Sequence, residues 1–271
     1  NRMSIHKDFG DYTFKEYSKY YLDLNVYRAK SRTIAGYAVD VKAVNDRIGH
    51  VKMKDITEKD IREAFDELSN IYKDNVLSKK WTITRMILRY ATISGHIEKN
   101  PAQLLKKPQS KVFDITDRES KAYTDEEINR IFEVAKKNIE IYTIFRVLHA
   151  TGMRPGELRA LRWKDFNKED KTISIISAIT KEYDTKKDVL NPTKKREIVS
   201  STKSEYSKRT LKLSDAAVEA LAKWREHLDN YGTEELRNSQ YIFPGPDGNF
   251  IKENTYHNKI YRFSRCEELL G

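Results

Sequence analysis

The sequence predicts a mainly α-helical protein with a small antiparallel β-sheet, divided into two domains. Three patterns support this interpretation. Apolar residues recur at helical spacing through the first part of the chain, hydroxyl–carboxylate pairs open two helical segments, and short stretches of alternating polar and apolar residues follow later. A chain of 271 residues, with 38% hydrophobic and 34% charged residues, has the size and composition of a globular protein with about two domains.

Residues 1–105 form the first predicted domain, which we expect to be almost wholly helical. Apolar residues recur at helical spacing in four stretches, at residues 14–24, 34–41, 61–68 and 81–91. Thr57 and Asp60 suit a capping box, in which a hydroxyl and a carboxylate bind the free N–H groups at a helix start. The fourth helix, residues 78–94, is expected to end at Gly95, because glycine favours helix C-termini.

A second domain, residues 123–271, follows a linker at residues 106–122. The linker is rich in charge and poor in apolar residues, so we expect it to stay extended. The domain opens on a Thr124-x-x-Glu127 capping box. Its predicted elements are strands at residues 171–179 and 210–213 and helices at residues 216–228 and 254–270.

Residues 180–200 look like an insertion between the two predicted strands, in the form of a loop or hairpin. Its cations cluster around Asn191-Pro192: Lys186, Lys187, Lys194, Lys195 and Arg196. A charged insertion of this kind is a solvated loop about as often as it is a contact for a polyanion or a partner protein. Both interpretations therefore stay open.

The composition narrows the class of function. Fifty-one Lys and Arg residues against 41 Asp and Glu residues give a net charge of +10, which favours polyanionic partners. No apolar run approaches the roughly 20 residues that a membrane span needs, and no signal-peptide pattern is present. The single cysteine, Cys266, excludes an internal disulfide and favours a reducing cytoplasm. No motif predicts a bound metal or nucleotide cofactor.

A helix-to-helix corner is the most informative motif. The apolar stretch 139–150 runs into Gly152-Met-Arg-Pro-Gly156, after which a second amphipathic segment begins. The break places Arg154 at a corner, where a rigid guanidinium can bind a phosphate through two parallel hydrogen bonds. Glu157, three residues later, is close enough to orient Arg154. An ordinary surface arginine beside a helix start remains the alternative, and it is the commoner case for a lone arginine.

A second motif, about fifty residues later, carries a lysine with a comparable role. Lys203-Ser-Glu-Tyr-Ser-Lys-Arg209 directly precedes the predicted strand at residues 210–213, so Lys203 is expected at or near a β-turn. From there its ammonium could reach a site defined by the arginine corner. A lysine on a solvated hairpin tip is the alternative.

Together the two motifs resemble those of a known family. Thr151-Gly-Met-Arg-Pro-Gly-Glu-Leu-Arg-Ala-Leu-Arg162 resembles the first catalytic box of the tyrosine recombinases, or phage integrases. Lys203 to Arg209 resembles their Lys-Thr-x-x-Ser-x-Arg hairpin, with Ser204 in place of the commoner Thr. Weaker similarities extend over nearly the whole chain. The resemblance implies a helical, SAM-like core-binding domain followed by a mixed α/β catalytic domain.

The resemblance also implies a reaction. In this family a tyrosine attacks the scissile phosphate of DNA and forms a 3′-phosphotyrosyl link, without metal or nucleotide cofactor. Arg154 would match the first catalytic arginine, Lys203 the general acid, and Glu157 the acidic residue that braces the box. The implied partners are double-stranded DNA attachment sites and further copies of the chain, as a homo-tetramer on DNA. The implied setting is integration or excision of a mobile element in the cytoplasm of a bacterial host, with no small-molecule substrate.

The sequence departs from the family pattern after these motifs. None of the six histidines is followed by arginine three residues later, as the family's His-x-x-Arg box requires; His257, with Arg262 five residues on, comes nearest. Tyr256 and Tyr261 are the last of the sixteen tyrosines, and both are interpreted as helix-packing residues. We therefore assign no nucleophile, and we expect this chain to stop short of the second half of the active site and not to cleave DNA. An inactive DNA-binding protein with the same fold is the alternative, and a helical adaptor that does not bind DNA is a third hypothesis.

DNA contacts are expected on the fourth helix of the first domain. Lys79, Lys80, Arg85 and Arg89 lie there, mostly opposite the apolar stripe, and such a helix could enter a major groove. An exposed charged face without DNA explains them equally well. Arg209, beside Lys203, is also predicted to contact DNA.

Overall fold

The structure is a computed structural model that describes residues 8–112, 122–201 and 208–266. It confirms the predicted class, mainly α-helical with small antiparallel sheets. The chain forms two compact units: residues 1–119 with 181–196 make the first, and residues 120–180 with 197–271 make the second. The sequence-based division at residues 106–122 placed residues 181–196 in the second domain. The first unit therefore combines two separate stretches of the chain, where the sequence predicted one continuous stretch.

The first unit is built on four long helices: α1 (Phe14–Asn25), α2 (Ser31–Ile48), α3 (Glu58–Ser69) and α4 (Asp74–Ile93). Helix α2 packs against the other three. The predicted Thr57–Asp60 capping box is present at the start of α3, with the Thr57 N–H donating to Asp60 at 2.8 Å. Side chains from all four helices form one core, and Gly95, after α4, has the left-handed φ of 70° that ends the helix.

Part of the predicted linker is hydrogen-bonded to the first unit. The hydroxyl of Ser110 donates to the carbonyl of Tyr72 at 2.7 Å, and the N–H of Lys111 donates to the carbonyl of Ser69 at 2.8 Å. Ser69 is the last residue of α3, and a helix end leaves carbonyl groups without partners inside the helix; Tyr72 lies in the connection to α4. The segment therefore satisfies acceptors of the first unit. Residues 113–121 of the predicted linker lie outside the described residues.

The insertion at residues 180–200 is a hairpin whose tip belongs to the first unit. Strands β3 (Ser177–Asp184) and β4 (Thr193–Ser201) pair to form its stem. At the tip, Val189 is 1% exposed and is part of the core of the first unit. The N–H of Tyr183 also donates to the hydroxyl of Ser31, at the start of α2, at 3.1 Å. A solvated loop is therefore wrong for Val189, although cations of the hairpin such as Lys186 remain exposed.

The second unit combines helices with a three-stranded sheet. Its helices are α5 (Asp125–Ala135), α6 (Ile139–Thr151), α7 (Pro155–Leu158), α8 (Asp215–Tyr231), α9 (Glu234–Arg237) and α10 (Glu253–Ser264). Its sheet has the order β1 (Phe166–Asn167), β2 (Thr172–Ile175) and β5 (Arg209–Lys212), all antiparallel. In the register of β2 and β5, Ile173 faces Leu211 and Ile175 faces Arg209. The predicted strand 171–179 is interrupted at Ile176, where β2 ends and β3 begins.

Helix α10 shows how far the helix-packing interpretation of the last tyrosines holds. Tyr256 is buried in the core of the second unit, as predicted. Tyr261 is exposed, so the prediction is wrong for that residue. Five residues correspond to about 140° around an α-helix, which turns Tyr261 away from the face that carries Tyr256.

Among the residues that the structure describes, no helix is long and apolar enough to cross a membrane.

Candidate active site

The arginine corner is formed by the end of α6 and the start of α7. Helix α6 ends at Gly152, whose φ of 59° lies in the left-handed region that favours glycine. Pro155 then takes the first position of α7, where its missing N–H costs nothing. Arg154 is the residue that caps α7. A side chain at Gly156 would place its Cβ 2.9 Å from the carbonyl oxygen of Ile179, so the backbone of α7 lies directly against the start of β3.

Glu157 binds two arginines at this corner. Its carboxylate accepts a hydrogen bond from the backbone N–H of Arg154 at 2.9 Å and a longer one from the Arg154 guanidinium at 3.3 Å. It also accepts two from the Arg209 guanidinium, at 2.9 and 3.3 Å. The expected contact between Glu157 and Arg154 is therefore present. The bond to Arg209 connects the start of α7 with the start of β5.

The electrostatics of Glu157 follow from its burial and its partners. The residue is 4% exposed, and burial on its own raises the pKa of a carboxyl group. Hydrogen bonds from Arg209 and from the backbone N–H of Arg154 outweigh burial and hold the pKa of Glu157 below its usual 4.5. At neutral pH the cluster thus contains one carboxylate and two guanidinium groups. The cluster therefore carries a net charge of +1, which suits an anionic ligand.

The two arginines differ in how much of the side chain solvent can reach. The side chain of Arg154 is 80% exposed, whereas that of Arg209 is 31% exposed and directed to Glu157. Arg154 can therefore offer guanidinium N–H groups to an incoming phosphate. Arg209, predicted from sequence to contact DNA, is placed by the structure as a brace for Glu157. A DNA contact by Arg209 stays a prediction.

Lys203 lies outside the described residues, in the interval between β4 and β5. Strand β4 ends at Ser201 and β5 begins at Arg209, and the two strands belong to different sheets. The position of the lysine at a turn, and its role as general acid, stay predictions.

The basic residues predicted on the fourth helix divide into two groups. Lys79, Arg85 and Arg89 are exposed on α4. Lys80 is 3% exposed, with its Nζ 3.4 Å from a carboxylate oxygen of Asp40 and 4.4 Å from the ring centroid of Tyr72. The prediction that Lys80 contacts DNA is wrong, because its ammonium is enclosed in the first unit. One residue corresponds to about 100° around the helix, which separates Lys80 from its exposed neighbour Lys79.

Sequence reasoning missed a buried ion pair beside the corner. Arg159, directly after α7, donates to a carboxylate oxygen of Glu197, on β4, at 2.7 Å. Both side chains are 6% exposed. No sequence signal connects the two, because 38 residues separate them and Glu197 lies outside the quoted motifs, although Arg159 stands in the first of them. Only the structure shows that both charged side chains are buried. The amphipathic pattern of the sequence does not indicate that Arg159 is buried.

Other chemistry is limited in the described parts of the chain. Within residues 8–112, 122–201 and 208–266, no group of three or more His, Cys, Asp or Glu residues could hold a metal ion. His257 is exposed on α10. Burial raises the pKa of Tyr256, whose side chain packs in the core of the second unit. The arginine corner is therefore the best-defined candidate site.

The lowered pKa of Glu157 predicts a pH dependence of stability. A carboxyl group whose pKa is lower in the folded state contributes stability above its ordinary pKa of 4.5, and loses it as the pH falls through the folded value. Between pH 6 and pH 3 the free energy of unfolding should therefore fall more steeply for the natural chain than for Glu157→Gln, measured by urea denaturation. Glu169→Gln, at an exposed position, is the control and should keep the natural slope. Equal slopes for all three proteins would contradict this prediction.

Two family models match this chain. Residues 121–268 match the model described as the phage integrase family, and residues 13–69 match the phage integrase N-terminal SAM-like domain. The first match alone covers more than half of the chain. The chain therefore belongs to the phage integrase family, whose members are the tyrosine recombinases, as the two sequence motifs predicted.

Two curated relatives are recombinases. The chain is 30% identical to a shufflon-specific DNA recombinase of Escherichia coli, over 46% of this chain and 27% of the relative. It is 28% identical to a XerC-like tyrosine recombinase of Caldanaerobacter subterraneus subsp. tengcongensis, over 56% of this chain and 38% of the relative. The matched regions thus span well under half the length of these relatives.

Solved structures share the fold. A Tn1549 transposon integrase in complex with transposon right-end DNA matches with a TM-score of 0.74 and 14% identity, over 93% of this chain and 78% of that one. A lambda integrase tetramer bound to a Holliday junction matches with a TM-score of 0.64 and 19% identity, over 96% and 70%. At these identities the similarity shows the fold.

Proposed function

We propose that this protein is a site-specific DNA recombinase that breaks and rejoins strands through a 3′-phosphotyrosyl intermediate, in the integration or excision of a mobile element. The observation that carries the proposal is the exposed guanidinium of Arg154, fixed at its helix corner by the buried carboxylate of Glu157. Membership of the phage integrase family supplies the class of reaction.

Arg154 has the chemistry needed at a scissile phosphate. Its guanidinium can donate two parallel hydrogen bonds to the non-bridging oxygens, where negative charge grows in the transition state. Glu157 keeps the backbone of the corner in place through the N–H of Arg154, so little reorganisation is needed when the phosphate arrives. We assign proton donation to the leaving 5′ oxygen to Lys203, and we assign the nucleophile to no tyrosine of this chain.

The helical domain supplies the proposed DNA-binding surface, defined by Lys79, Arg85 and Arg89 on α4. These exposed cations can neutralise phosphates and release counterions, which makes affinity depend on salt. Lys80 is left out because it is buried. We further propose that the protein acts on paired double-stranded attachment sites as a homo-tetramer in a bacterial cytoplasm; the lambda integrase neighbour is described as a tetramer on DNA.

A DNA-binding protein without strand-cleaving activity is the second candidate. One observation favours it: the side chain of Tyr256 is buried in the core of the second unit. Both candidates predict duplex binding, so only covalent chemistry separates them.

Duplex binding by the helical domain is the first measurement. Replacing Arg85 and Arg89 together with alanine should weaken binding of a random-sequence duplex by about tenfold, and should reduce the slope of log affinity against log salt by about two, because two phosphate contacts are lost. Arg62→Ala, at an exposed arginine of α3, is the matched control and should bind as the natural protein does. Unchanged affinity and slope in the double variant would exclude this surface as the DNA-binding face.

Covalent chemistry is tested with the full-length natural protein and with nicked duplexes selected from a random library for binding to it. A recombinase should leave a protein–DNA adduct that survives denaturation and contains phosphotyrosine, and Arg154→Ala should reduce the adduct by at least about a hundredfold. Lys203→Ala should slow its formation without changing duplex affinity. Tight binding with no adduct would support the second candidate instead.

A further inference from the structure

We propose that Arg159 and Glu197 form a positioning pair that fixes helix α7, and through it Arg154, for phosphate binding. The inference rests on the proposed function, because it concerns the same arginine corner. Arg159 stands in the motif at residues 151–162 without an assigned role, and Glu197 lies outside both motifs. Both are buried charges that the proposed reaction does not use, and their contacts explain how a very short helix can hold a functional side chain in place.

The pair connects three segments of the second unit at one point. The guanidinium of Arg159 donates its Nη2–H to Glu197 on β4 at 2.7 Å, and its Nε–H to the carbonyl oxygen of Ile251 at 2.8 Å. The same carboxylate oxygen of Glu197 accepts the backbone N–H of Glu253, the first residue of α10, at 3.2 Å. Helix α7 is thereby joined to a strand and to the start of a helix by directed hydrogen bonds.

Helix α7 needs such anchors because it has only four residues, Pro155 to Leu158. A helix of one turn has very few internal hydrogen bonds, so its neighbours must set its orientation. Glu157 connects one side of the turn to Arg209 on β5. Arg159, two residues later, connects the other side to β4. With both anchors made, α7 has little freedom to turn, and the backbone of Arg154 at its start has little freedom to move.

The choice of charged residues at this place favours positioning over stability. A buried ion pair adds little net stability compared with apolar residues of similar volume, because both charges must leave water. Its bonds are directional, however, whereas apolar packing allows a helix to slide or rotate. An apolar replacement of both residues can therefore preserve the fold while releasing the orientation of α7.

The test is a double-mutant cycle on duplex binding. The effect of Arg154→Ala on affinity for a random-sequence duplex is measured in the natural chain and in a background that carries Arg159→Met and Glu197→Leu. We expect a loss of about tenfold in the natural chain and less than about threefold in the apolar background, because a misplaced Arg154 contributes little to binding. A residue with a purely structural role would not change the effect of Arg154→Ala in a background that remains folded.

The matched control is the ion pair of Lys259 and Glu140, which connects α10 with α6. In a background with Lys259→Met and Glu140→Leu, Arg154→Ala should keep its full effect. If the apolar Arg159 and Glu197 background does not fold, Arg159→Lys replaces it. Lysine keeps the charge but cannot bind Glu197 and the carbonyl of Ile251 with the same planar group, so an intermediate effect is expected.

The outcomes are distinct. A reduced effect of Arg154→Ala only in the Arg159 and Glu197 background supports the positioning pair. An equal effect in every background overturns it and leaves the proposed function standing. If Arg154→Ala does not change duplex affinity in the natural chain, Arg154 does not take part in DNA binding. Both the role proposed for the corner and the positioning pair then fail.

Discussion

Glu157→Ala is expected to lower the free energy of unfolding by about 3 kcal/mol, because it removes a buried acceptor that serves two arginines and one backbone N–H. Arg209 would lose the carboxylate toward which its partly buried guanidinium is directed. The start of α7 would also lose the bond from the N–H of Arg154. Urea denaturation followed by tryptophan fluorescence measures the change, and the same variant should bind duplex DNA less tightly, because Arg154 is then held less firmly.

The matched control is Glu127→Ala. Glu127 closes the capping box of α5 by accepting the N–H of Thr124, but it is exposed. Its loss should cost only about 1 kcal/mol, the usual value of a cap, and should leave duplex binding unchanged. Similar costs for the two variants would show that Glu157 acts as a helix cap alone and that the arginines do not depend on it.

Val189→Asp is expected to destabilise the first unit by more than about 4 kcal/mol, because a charge without a partner would replace a valine that is 1% exposed in its core. The predicted consequence is a lower unfolding temperature and faster hydrogen exchange in α1 and α2, measured by mass spectrometry. The hairpin tip would leave the core in preference to burying the charge.

Val39→Asp makes the same chemical change at an exposed valine on α2. It should cost less than about 1 kcal/mol, since an exposed charge keeps its water and only helix propensity changes. If both variants had equally small effects, Val189 would not be part of the core in solution, and the assignment of residues 181–196 to the first unit would be wrong.

Local features of this fold could be predicted from the sequence. Apolar spacing located the four long helices of the first unit, and the Thr57 and Thr124 capping boxes form as expected. Such features depend on hydrogen bonds and faces within a few residues of one another. The corner at Arg154 belongs to the same class, because glycine, proline and a glutamate three residues later act on the backbone nearby.

Features that depend on distant residues could not be predicted in this way. Lys80 shares a charged helix with Lys79, and only the position of Asp40, on another helix, shows that it is buried. The partner of Arg159 lies 38 residues away, and the apolar tip residue Val189 stands in a segment dominated by lysines. The charged composition of the insertion predicted its packing poorly, because its few apolar residues determine where the tip packs.

The placement of residues 181–196 with the first unit has a consequence for protein engineering. A chimera that joins this helical domain to the catalytic domain of another recombinase at one crossover near residue 112 would take the hairpin from the other parent. In such a chimera, a hairpin tip of foreign sequence would replace the tip in which Val189 completes the core of the first unit. Transplanting the helical unit therefore requires the hairpin to be moved together with the helices, as one module encoded in two separate stretches of the gene.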